Sequence, residues 1–567
     1  MRRGMRGLLL TAVLGVALTV VGGVVATGAA AAEGAAQHGR PKADRPNIVL
    51  LLMDDFSLEL LETMPNAQQM KAEGATYRNA FVVDSLCCTS RSSLFTGQAP
   101  HHTGVLTNTP NDPENPIGGW KAYEKYGNID KTFHLALERS GYTTGFTGKL
   151  LNGYEVSNVD GVVTAPEPIP GWTEFDPVFG GGYNGWKYRS GHLGADGALE
   201  LTFHGAPALS RPIAERDAQY ATTVTGDKAL DFVRRHEKAS AAGGAPYFLE
   251  VATYGPHSRL AKAYDDNYVF PPAFADRARP GEDRNLGGNC GTKSCGDLTL
   301  DDLTGYADDR TDNAPTYLRR DGTTAPAPAW RTNEVTLTDA GALQRYRDRA
   351  RMVQSIDRLL AQIRAEVGEN TYVVLTADNG FHLGQHQLNG GKGTPYDSDT
   401  RVPLVVVGPD VVPGERDQLV SNLDLAPTFE ELGGLRPASY RDGTSFAHSL
   451  SQPRARGSRY TFFEHTFAKS QPGEVDTDEG SGGTIDIIPS YIGVRSERGL
   501  LVRFDLDDDW DGTDYAWELY TYEDGFEKRN VYAERHREPW VRDLAARITV
   551  FGAGEGCAPL VCRVLTR

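Results

Sequence analysis

The sequence predicts an α/β protein with a large, mixed but mostly parallel sheet, helices on both faces of that sheet, and a smaller antiparallel β subdomain toward the C-terminal end. Two observations lead to this fold. Four segments are apolar at nearly every position, which is typical of strands buried on both faces, and segments of helical periodicity lie between them. Beyond about residue 434 this alternation stops, and short strand-like segments follow one another.

The apolar segments are the expected strands of the main sheet, and polar residues end each of them. They span residues 47–55, 247–257, 371–380 and 402–410. Helices are predicted over residues 130–142, with Asp130 as the N-cap, and over residues 343–368. In the C-terminal part, residues 496–499 are predicted to turn a hairpin between two strands.

The chain of 567 residues is too long for a single core, and its composition divides it into four parts. Residues 1–32 are basic, then apolar, then rich in small residues, which is the pattern of a signal peptide cleaved near Ala32; an uncleaved anchor helix is the alternative. After this segment come a polar linker (33–45), a main domain (46–434) and a β-rich subdomain (435–567). No other segment is long and apolar enough to span a bilayer, so we expect a secreted protein with no stable membrane insertion.

The charge balance narrows the class of partner. Hydrophobic residues make up 40% of the chain and charged residues 23%, as in ordinary soluble proteins. The formal net charge is −17, which argues against a general nucleic-acid binder because phosphate backbones require a basic surface.

The cysteines fall into two kinds. Four of the six lie in close pairs that can each close a short loop as a disulfide in an oxidising compartment: Cys290 with Cys295, and Cys557 with Cys562. The other two, Cys87 and Cys88, are adjacent, and adjacent cysteines rarely bond to each other because the intervening peptide strains the ring. We therefore expect one of them to have a chemical role in the active site rather than a structural role in a disulfide.

Two of the predicted strands end in oxygen donors. Asp54 and Asp55 follow the first strand, and Asp378 and Asn379 follow the third. The carboxyl ends of neighbouring parallel strands meet in one crevice, so a shared site is expected there. Carboxylate and amide oxygens suit a hard cation such as calcium, whereas zinc and manganese sites more often include histidine. The alternative is that these dipeptides only shape turns.

The segment Cys87–Arg91, with Leu94–Gly97 after it, resembles the sulfatase signature Cys-x-Pro-x-Arg followed by Leu-x-Thr-Gly. The resemblance extends over nearly the whole chain after the signal peptide, because further family elements follow in the family's order: residues 47–55, 144–154, 253–258, 376–386 and 392–410. The nearest subgroup is the N-acetylglucosamine-6-sulfatase-like enzymes, which share the double cysteine.

The resemblance implies that a formylglycine-generating enzyme oxidises Cys87 to formylglycine (3-oxoalanine). Water adds to that aldehyde to give a diol. One hydroxyl attacks sulfur and expels the alcohol, and the second hydroxyl then expels sulfate and restores the aldehyde. The substrate would be a sulfate monoester of a small molecule or glycan, such as a sulfated sugar or an aryl sulfate.

The resemblance also assigns roles to site residues. Asp54, Asp55, Asp378 and Asn379 would bind calcium together with residue 87. Arg91 would hold the nucleophile, and Lys149, His257 and Lys392 would bind the sulfate, with His257 or Lys392 protonating the leaving oxygen. Residues 46–434 would then be the catalytic domain.

Two positions depart from the family pattern. Thr89 stands where the family usually has proline, which bears on how efficiently Cys87 is converted. Many arylsulfatases have a histidine two residues after the motif lysine, whereas this chain has Leu151 there and Asn152 next. A second acid–base group is therefore not identified.

Some features and rival functions stay open. His382 and His386 either line the pocket or pack beneath it, and the pair at 101–102 has no assigned role. Residues 507–518 match the spacing of an EF-hand calcium loop, although strand-like flanks favour an acidic hairpin. The rivals to a sulfatase are a phosphate or phosphonate ester hydrolase of the same superfamily and a non-catalytic sulfoglycan-binding protein in which Cys87 is not converted.

Overall fold

The computed structural model describes residues 45–110, 114–257, 262–266, 268–306, 317–318, 323–325, 337–466, 488–506, 515–524, 526–553 and 556–567. The predicted signal peptide, nearly all of the linker and residues 507–514 of the EF-hand-like segment lie outside these ranges. Within the described ranges, no helix is both long and apolar enough to span a membrane.

The strands are β1 (Asn47–Met53), β2 (Ala75–Phe81), β3 (Thr143–Gly148), β4 (Ser157–Val159), β5 (Val162–Thr164), β6 (Glu174–Pro177), β7 (Tyr188–Leu193), β8 (Leu199–His204), β9 (Tyr247–Ala252), β10 (Tyr317–Leu318), β11 (Thr324–Ala325), β12 (Thr371–Ala377), β13 (Leu404–Val407), β14 (Gly414–Ser421), β15 (Tyr460–His465), β16 (Tyr491–Ser496), β17 (Gly499–Asp505) and β18 (Tyr515–Thr521).

The α-helices are α1 (Pro65–Glu73), α2 (Cys87–Thr96), α3 (Pro100–Thr103), α4 (Gly119–Lys125), α5 (Phe133–Arg139), α6 (Ile213–Asp217), α7 (Ala221–Ala241), α8 (Asp339–Glu366), α9 (Asp397–Thr400), α10 (Leu425–Leu432), α11 (Ala447–Ser451), α12 (Tyr532–Arg535), α13 (Pro539–Phe551) and α14 (Pro559–Leu565).

The main sheet has eight strands in the order β14-β2-β13-β12-β1-β9-β3-β6. Every residue of β1 and β12 is buried, as their continuous apolar sequences predict. All neighbours pair in parallel except β13, which runs antiparallel to both β12 and β2. This is the mixed, mostly parallel sheet that the sequence predicts, although the direction of β13 itself was not predicted, because an apolar run indicates burial on two faces and not chain direction.

Helices cover both faces of this sheet, which confirms the predicted fold class. Tyr247 and Phe248 are neighbours on β9, so their side chains point to opposite faces. The Tyr247 ring lies 5.8 Å from that of Phe232 on α7. The Phe248 ring lies 5.1 Å from Phe133 on α5 and 5.7 Å from Phe429 on α10.

The helix predicted over residues 130–142 is shorter in the structure. Asp130 belongs to a separate 3-10 helix, Asn128–Lys131, and the extended Thr132 precedes α5 as its N-cap. The predicted N-cap was therefore wrong, because the chain makes a tight extra turn before the helix begins. The second predicted helix is α8, whose Thr338 cap accepts a hydrogen bond from the Gly341 amide.

The C-terminal strands β15 to β18 form a separate antiparallel sheet in sequence order. Ser496 pairs with Gly499, so the predicted hairpin has a two-residue turn. The sheet packs against the main domain, where Phe463 lies 5.9 Å from Phe81. Disulfides join the predicted pairs, Cys290 to Cys295 and Cys557 to Cys562. The boundary at residue 434 stays a prediction, since the chain from Arg40 onward forms one unit.

Candidate active site

The strand register brings the acidic strand ends together. Met53 and Ala377 are the last paired residues of β1 and β12, so the residues that follow leave the sheet at the same edge. The Asp55 amide donates to Oδ1 of Asp378 at 3.1 Å, and Nδ2 of Asn379 donates to Oδ1 of Asp55 at 2.7 Å. Asp55 has a φ of 54°, a left-handed conformation that is uncommon outside glycine and often found at functional sites.

Cys87 begins α2 at the centre of this cluster and is fully buried. Its Sγ lies 2.7 Å from Nζ of Lys392, 3.4 Å from Oδ1 of Asp54 and 3.6 Å from Oδ1 of Asp55. Burial raises the pKa of the Cys87 thiol well above its ordinary value, although Lys149 and Lys392 oppose the rise. Burial therefore disfavours the thiolate, which is the nucleophilic form of a cysteine.

Cys88 lies in a different environment. Its side chain belongs to the apolar core of the main domain, and its amide donates to Oδ1 of Asn108 at 2.9 Å. The structure therefore separates the two adjacent cysteines, with Cys87 among charged groups and Cys88 among apolar ones.

Three cations surround Cys87 and the carboxylates. Arg91 lies one helical turn after Cys87 and donates through Nε to Oδ2 of Asp378 at 2.7 Å. Lys149, at the end of β3, contacts Oδ2 of Asp54 at 2.7 Å. Lys392 contacts Oδ1 of Asp55 at 2.6 Å. Each cation therefore has at least one anionic partner in the cluster, and Nη2 of Arg91 also lies 3.9 Å from Oδ1 of Asp54.

His257 follows β9 after a cis Gly255–Pro256 bond. Its Nε2 lies 3.4 Å from Oδ2 of Asp55, and its ring lies 4.4 Å from that of Tyr183. The structure thus brings all of the predicted catalytic and metal-ligating residues into one buried cluster at the edge of the sheet.

The carboxylates of the cluster differ in their proton affinities. Burial would raise the pKa of Asp54, but Lys149, His257 and Arg91 together hold it well below its ordinary value. Burial and the Asp54 carboxylate raise the pKa of Asp378 to about 6, against the effect of Arg91. Such crowding of acids favours a bound cation, which would relieve their mutual repulsion.

The donor set fits a hard divalent cation. Ligand atoms of Asp54, Asp55, Cys87 and Asp378 all lie within 4.8 Å of one another. Oδ1 of Asn379 is buried and has no hydrogen-bond partner among the described residues, as expected for an atom that faces a metal. Carboxylate and amide oxygens in this arrangement match calcium.

Sequence reasoning missed Arg349, which lies on α8 and is fully buried. Its Nη2 donates to the backbone oxygen of Asp55, and its guanidinium lies 4.4 Å from the ring centre of Phe381. Burial lowers its pKa to about 9, although Asp55 and Asp54 oppose the fall. An arginine in an amphipathic helix normally predicts an exposed face, so no sequence pattern indicated this contact.

A second group missed by the sequence holds the turn that carries Lys392. The hydroxyl of Tyr491, on β16, donates to the oxygen of Gly393 at 3.0 Å. The Gly393 amide donates to Oγ of Ser85 at 3.1 Å, and Ser85 donates to the oxygen of Thr394 at 3.2 Å. The C-terminal sheet thus contacts the active-site turn directly.

The four other histidines singled out in the sequence, at positions 101, 102, 382 and 386, are paired with carboxylates. Nδ1 of His382 lies 2.9 Å from Oδ1 of Asp399, and Nε2 of His386 lies 3.4 Å from Oε2 of Glu527. Nδ1 of His101 lies 2.8 Å from Glu464 and that of His102 lies 2.8 Å from Asp442. Leu151 packs in the apolar core, so the position two residues after the motif lysine supplies no second acid–base group.

Comparison with known proteins gives a consistent result. The Sulfatase family model matches residues 46–435. The arylsulfatase of Volvox carteri is 29% identical over 429 residues, which cover 72% of this chain and 58% of that protein. The human N-acetylglucosamine-6-sulfatase is 30% identical over 402 residues, which cover 69% and 61%. The chain thus spans about three fifths of the length of these relatives.

Solved structures share the fold at low sequence identity. A protein described in complex with its substrate D-glucosamine-2-N,6-O-disulfate aligns with a TM-score of 0.58 at 19% identity, over 89% of this chain and 97% of that one. The phosphonate monoester hydrolase of Silicibacter pomeroyi aligns with a TM-score of 0.55, also at 19% identity, over 88% and 93%. At this identity the likeness concerns the fold alone.

Proposed function

Because the chain belongs to the sulfatase family, as the match over residues 46–435 shows, we propose that it is a sulfuric ester hydrolase that cleaves a sulfate monoester. The observation that supports this most strongly is the position of Cys87. It lies at the start of a helix, is fully buried, and contacts a lysine and two aspartates of the cluster. A cysteine that served only to pack would be expected in the apolar core, as Cys88 is.

We propose that Cys87 is converted to formylglycine by a formylglycine-generating enzyme. The aldehyde supplies, as its hydrate, one hydroxyl for attack on sulfur and a second for the release of sulfate. We propose that Asp54, Asp55, Asp378 and Asn379 would hold calcium, which would supply a positive charge that makes such a hydroxyl easier to deprotonate.

The other side chains of the cluster act on the sulfate group. Lys392 lies 2.7 Å from the Cys87 sulfur, so it is placed to contact oxygens of a group attached at residue 87. Lys149 and Arg91 hold the carboxylates Asp54 and Asp378 in place and add positive charge. Fixed cations of this kind stabilise the negative charge that develops on sulfate oxygens in the transition state.

Proton transfer to the leaving alcohol falls to His257 or Lys392. Both lie at the cluster through contacts with Asp55, at 3.4 Å for His257 and 2.6 Å for Lys392. A group within hydrogen-bond reach of the leaving oxygen can supply the proton that an alkoxide would otherwise lack.

Sulfate is favoured over phosphate by the charge of the site. A sulfate monoester carries one negative charge and a phosphate monoester nearly two, and a two-metal site would better suit the second. Among the described residues, the candidate metal groups that include Asp55 or Asp378 all share Cys87 and so form one cluster, which we propose holds a single cation. Phosphate and phosphonate hydrolases of the superfamily more often have a histidine at the position of Asn379, so this asparagine favours the sulfatase alternative.

The substrate is proposed from the relatives. Their names include arylsulfatase and N-acetylglucosamine-6-sulfatase, and one structural neighbour is described with a disulfated glucosamine. We propose a sulfated sugar, met outside the cell after export directed by the N-terminal segment.

The test is the chemical state of Cys87. Trypsin should release residues 79–91, because Arg78 precedes this segment and Arg91 ends it. After co-expression with a formylglycine-generating enzyme, we expect this peptide to be about 18 Da lighter than the cysteine form. Cys87→Ala should abolish hydrolysis of nitrophenyl sulfate, whereas Cys88→Ala, the matched control, should retain part of it.

The opposite outcome would reject the proposal. Activity that survives Cys87→Ala, or a peptide that stays unmodified in active protein, would show that another nucleophile acts. Because Thr89 occupies the usual proline position, the converted fraction must be measured before rates are compared.

A further inference from the structure

An arginine-lined cleft lies apart from the active site, next to strand β14. One cavity of about 460 Å³ and another of about 750 Å³ share Thr444, Ser445 and Arg567 in their walls, so they are neighbouring parts of one surface region. None of the lining residues belongs to the cluster around Cys87. We call this feature the arginine cleft, after five of its lining residues: Arg436, Arg456, Arg459, Arg563 and Arg567.

The arginines of the cleft lack carboxylate partners. Among the described residues, none of the five forms an ion pair. Arg563 donates only to backbone oxygens, those of Ser439 and Arg441. Arg436, Arg456 and Arg459 are exposed. Elsewhere on the surface, arginines such as Arg234 and Arg535 are paired with glutamates.

The acidic residues of the cleft do little to offset this charge. Asp424 is buried and accepts hydrogen bonds from the amides of Ser421 and Thr444, and burial raises its pKa to about 7. Glu431 is the other acidic side chain among the lining residues. A chain with a net charge of −17 therefore concentrates unpaired positive charge at one place.

We propose that the arginine cleft binds a sulfated polysaccharide chain, at a site separate from the one that cleaves the ester. The guanidinium group presents parallel N–H donors that match the oxygens of sulfate and carboxylate groups. Several such groups, distributed over two neighbouring cavities, suit a linear polyanion better than a single ion. Thr444 and Ser445 add hydroxyls for sugar oxygens. The choice of polysaccharide rests on the proposed function, because an enzyme that cleaves sulfated sugars meets such chains.

The test compares two variants of equal charge change. Arg456→Glu with Arg459→Glu reverses two charges in the cleft. Arg279→Glu with Lys238→Glu reverses two exposed charges that do not line it. Binding of labelled dextran sulfate is measured against uncharged dextran of the same length, at salt concentrations from about 50 to 200 mM.

We expect the wild type and the control variant to bind dextran sulfate equally, and the cleft variant to bind at least about tenfold more weakly with a shallower salt dependence. All three should hydrolyse nitrophenyl sulfate at the same rate, since neither variant touches the active site. This rate reports on the proposed function independently of the binding result.

Three results would overturn the proposal. In the first, the cleft variant binds as tightly as the wild type, so that the polymer binds elsewhere, for example in the active site. In the second, the control variant loses as much affinity, so that only net charge matters. In the third, single-stranded DNA of equal length binds more tightly than dextran sulfate and loses affinity through the same two substitutions, so that the ligand class is wrong.

Discussion

The adjacent cysteines at the start of α2 have different surroundings, although they are successive residues of one helix. Successive residues of a helix point about 100° apart, so Cys87 faces the charged cluster while Cys88 faces the core. Burial makes the Cys87 thiol a weaker acid, which disfavours the thiolate form that would be nucleophilic. Both facts agree with a cysteine that serves as the precursor of another functional group.

The contribution of His101 to folding stability should depend on pH. Burial alone would lower its pKa, but the paired Glu464 raises it to about 9, above the unfolded value near 6.5. The group therefore contributes stability that is fully present below pH 6.5 and is lost as the pH rises through about 9. We expect His101→Gln to lower the free energy of unfolding by about 2 kcal/mol at pH 6, and with it the melting temperature at that pH. Above pH 9.5 the substitution should have little effect on either quantity.

Thermal unfolding at both pH values checks this expectation. His192→Gln is the matched control, because His192 also pairs with a carboxylate, Asp176, but is 48% exposed. A His101 variant that loses the same stability at pH 6 and at pH 9.5 would show that the ring only packs.

Hydrogen bonds from two distant parts of the chain hold the turn that carries Lys392. Its backbone is bonded to Ser85, just before α2, and to Tyr491, on β16. Loss of one neutral hydrogen bond costs about 1 kcal/mol, or about fivefold in rate if it positions a catalytic group. We expect Tyr491→Phe to lower kcat for nitrophenyl sulfate about fivefold while KM and the melting temperature change little.

The control for this prediction is Tyr460→Phe on β15, whose hydroxyl lies 3.4 Å from Asp543 at the surface. It should leave kcat unchanged. A Tyr491→Phe enzyme with wild-type kcat, or one whose kcat falls only in step with its melting temperature, would mean that this hydroxyl does not position Lys392.

Prediction from sequence succeeds where local pattern decides structure. The apolar runs of β1 and β12 indicate buried strands, and the acids that end them fall together because the strands pair in parallel. The direction of β13 could not be read, since its apolar pattern is the same in either orientation. Arg349 and Tyr491 also could not be read, because each reaches the site only through packing of distant elements.

At the scale of the whole molecule, cation binding should affect stability. Asp54, Asp55 and Asp378 hold their carboxylates close together in the core, and a cation that binds only the folded state stabilises it. We expect calcium to raise the melting temperature of chelator-treated protein. The free energy of unfolding should rise by about 2.7 kcal/mol when calcium is 100-fold above its Kd. Elemental analysis should find calcium, and stoichiometric zinc or manganese would contradict the donor argument.

The activity proposed for this molecule is the hydrolysis of sulfate monoesters with a converted Cys87. The direct measurement is kcat/KM for nitrophenyl sulfate and for nitrophenyl phosphate, on protein whose residue 87 is shown by mass to be an aldehyde. One divalent cation with Lys149, Lys392 and Arg91 suits a group of single negative charge, so we predict that the sulfate is cleaved much faster. A higher kcat/KM for the phosphate would contradict this account and favour a phosphoryl hydrolase.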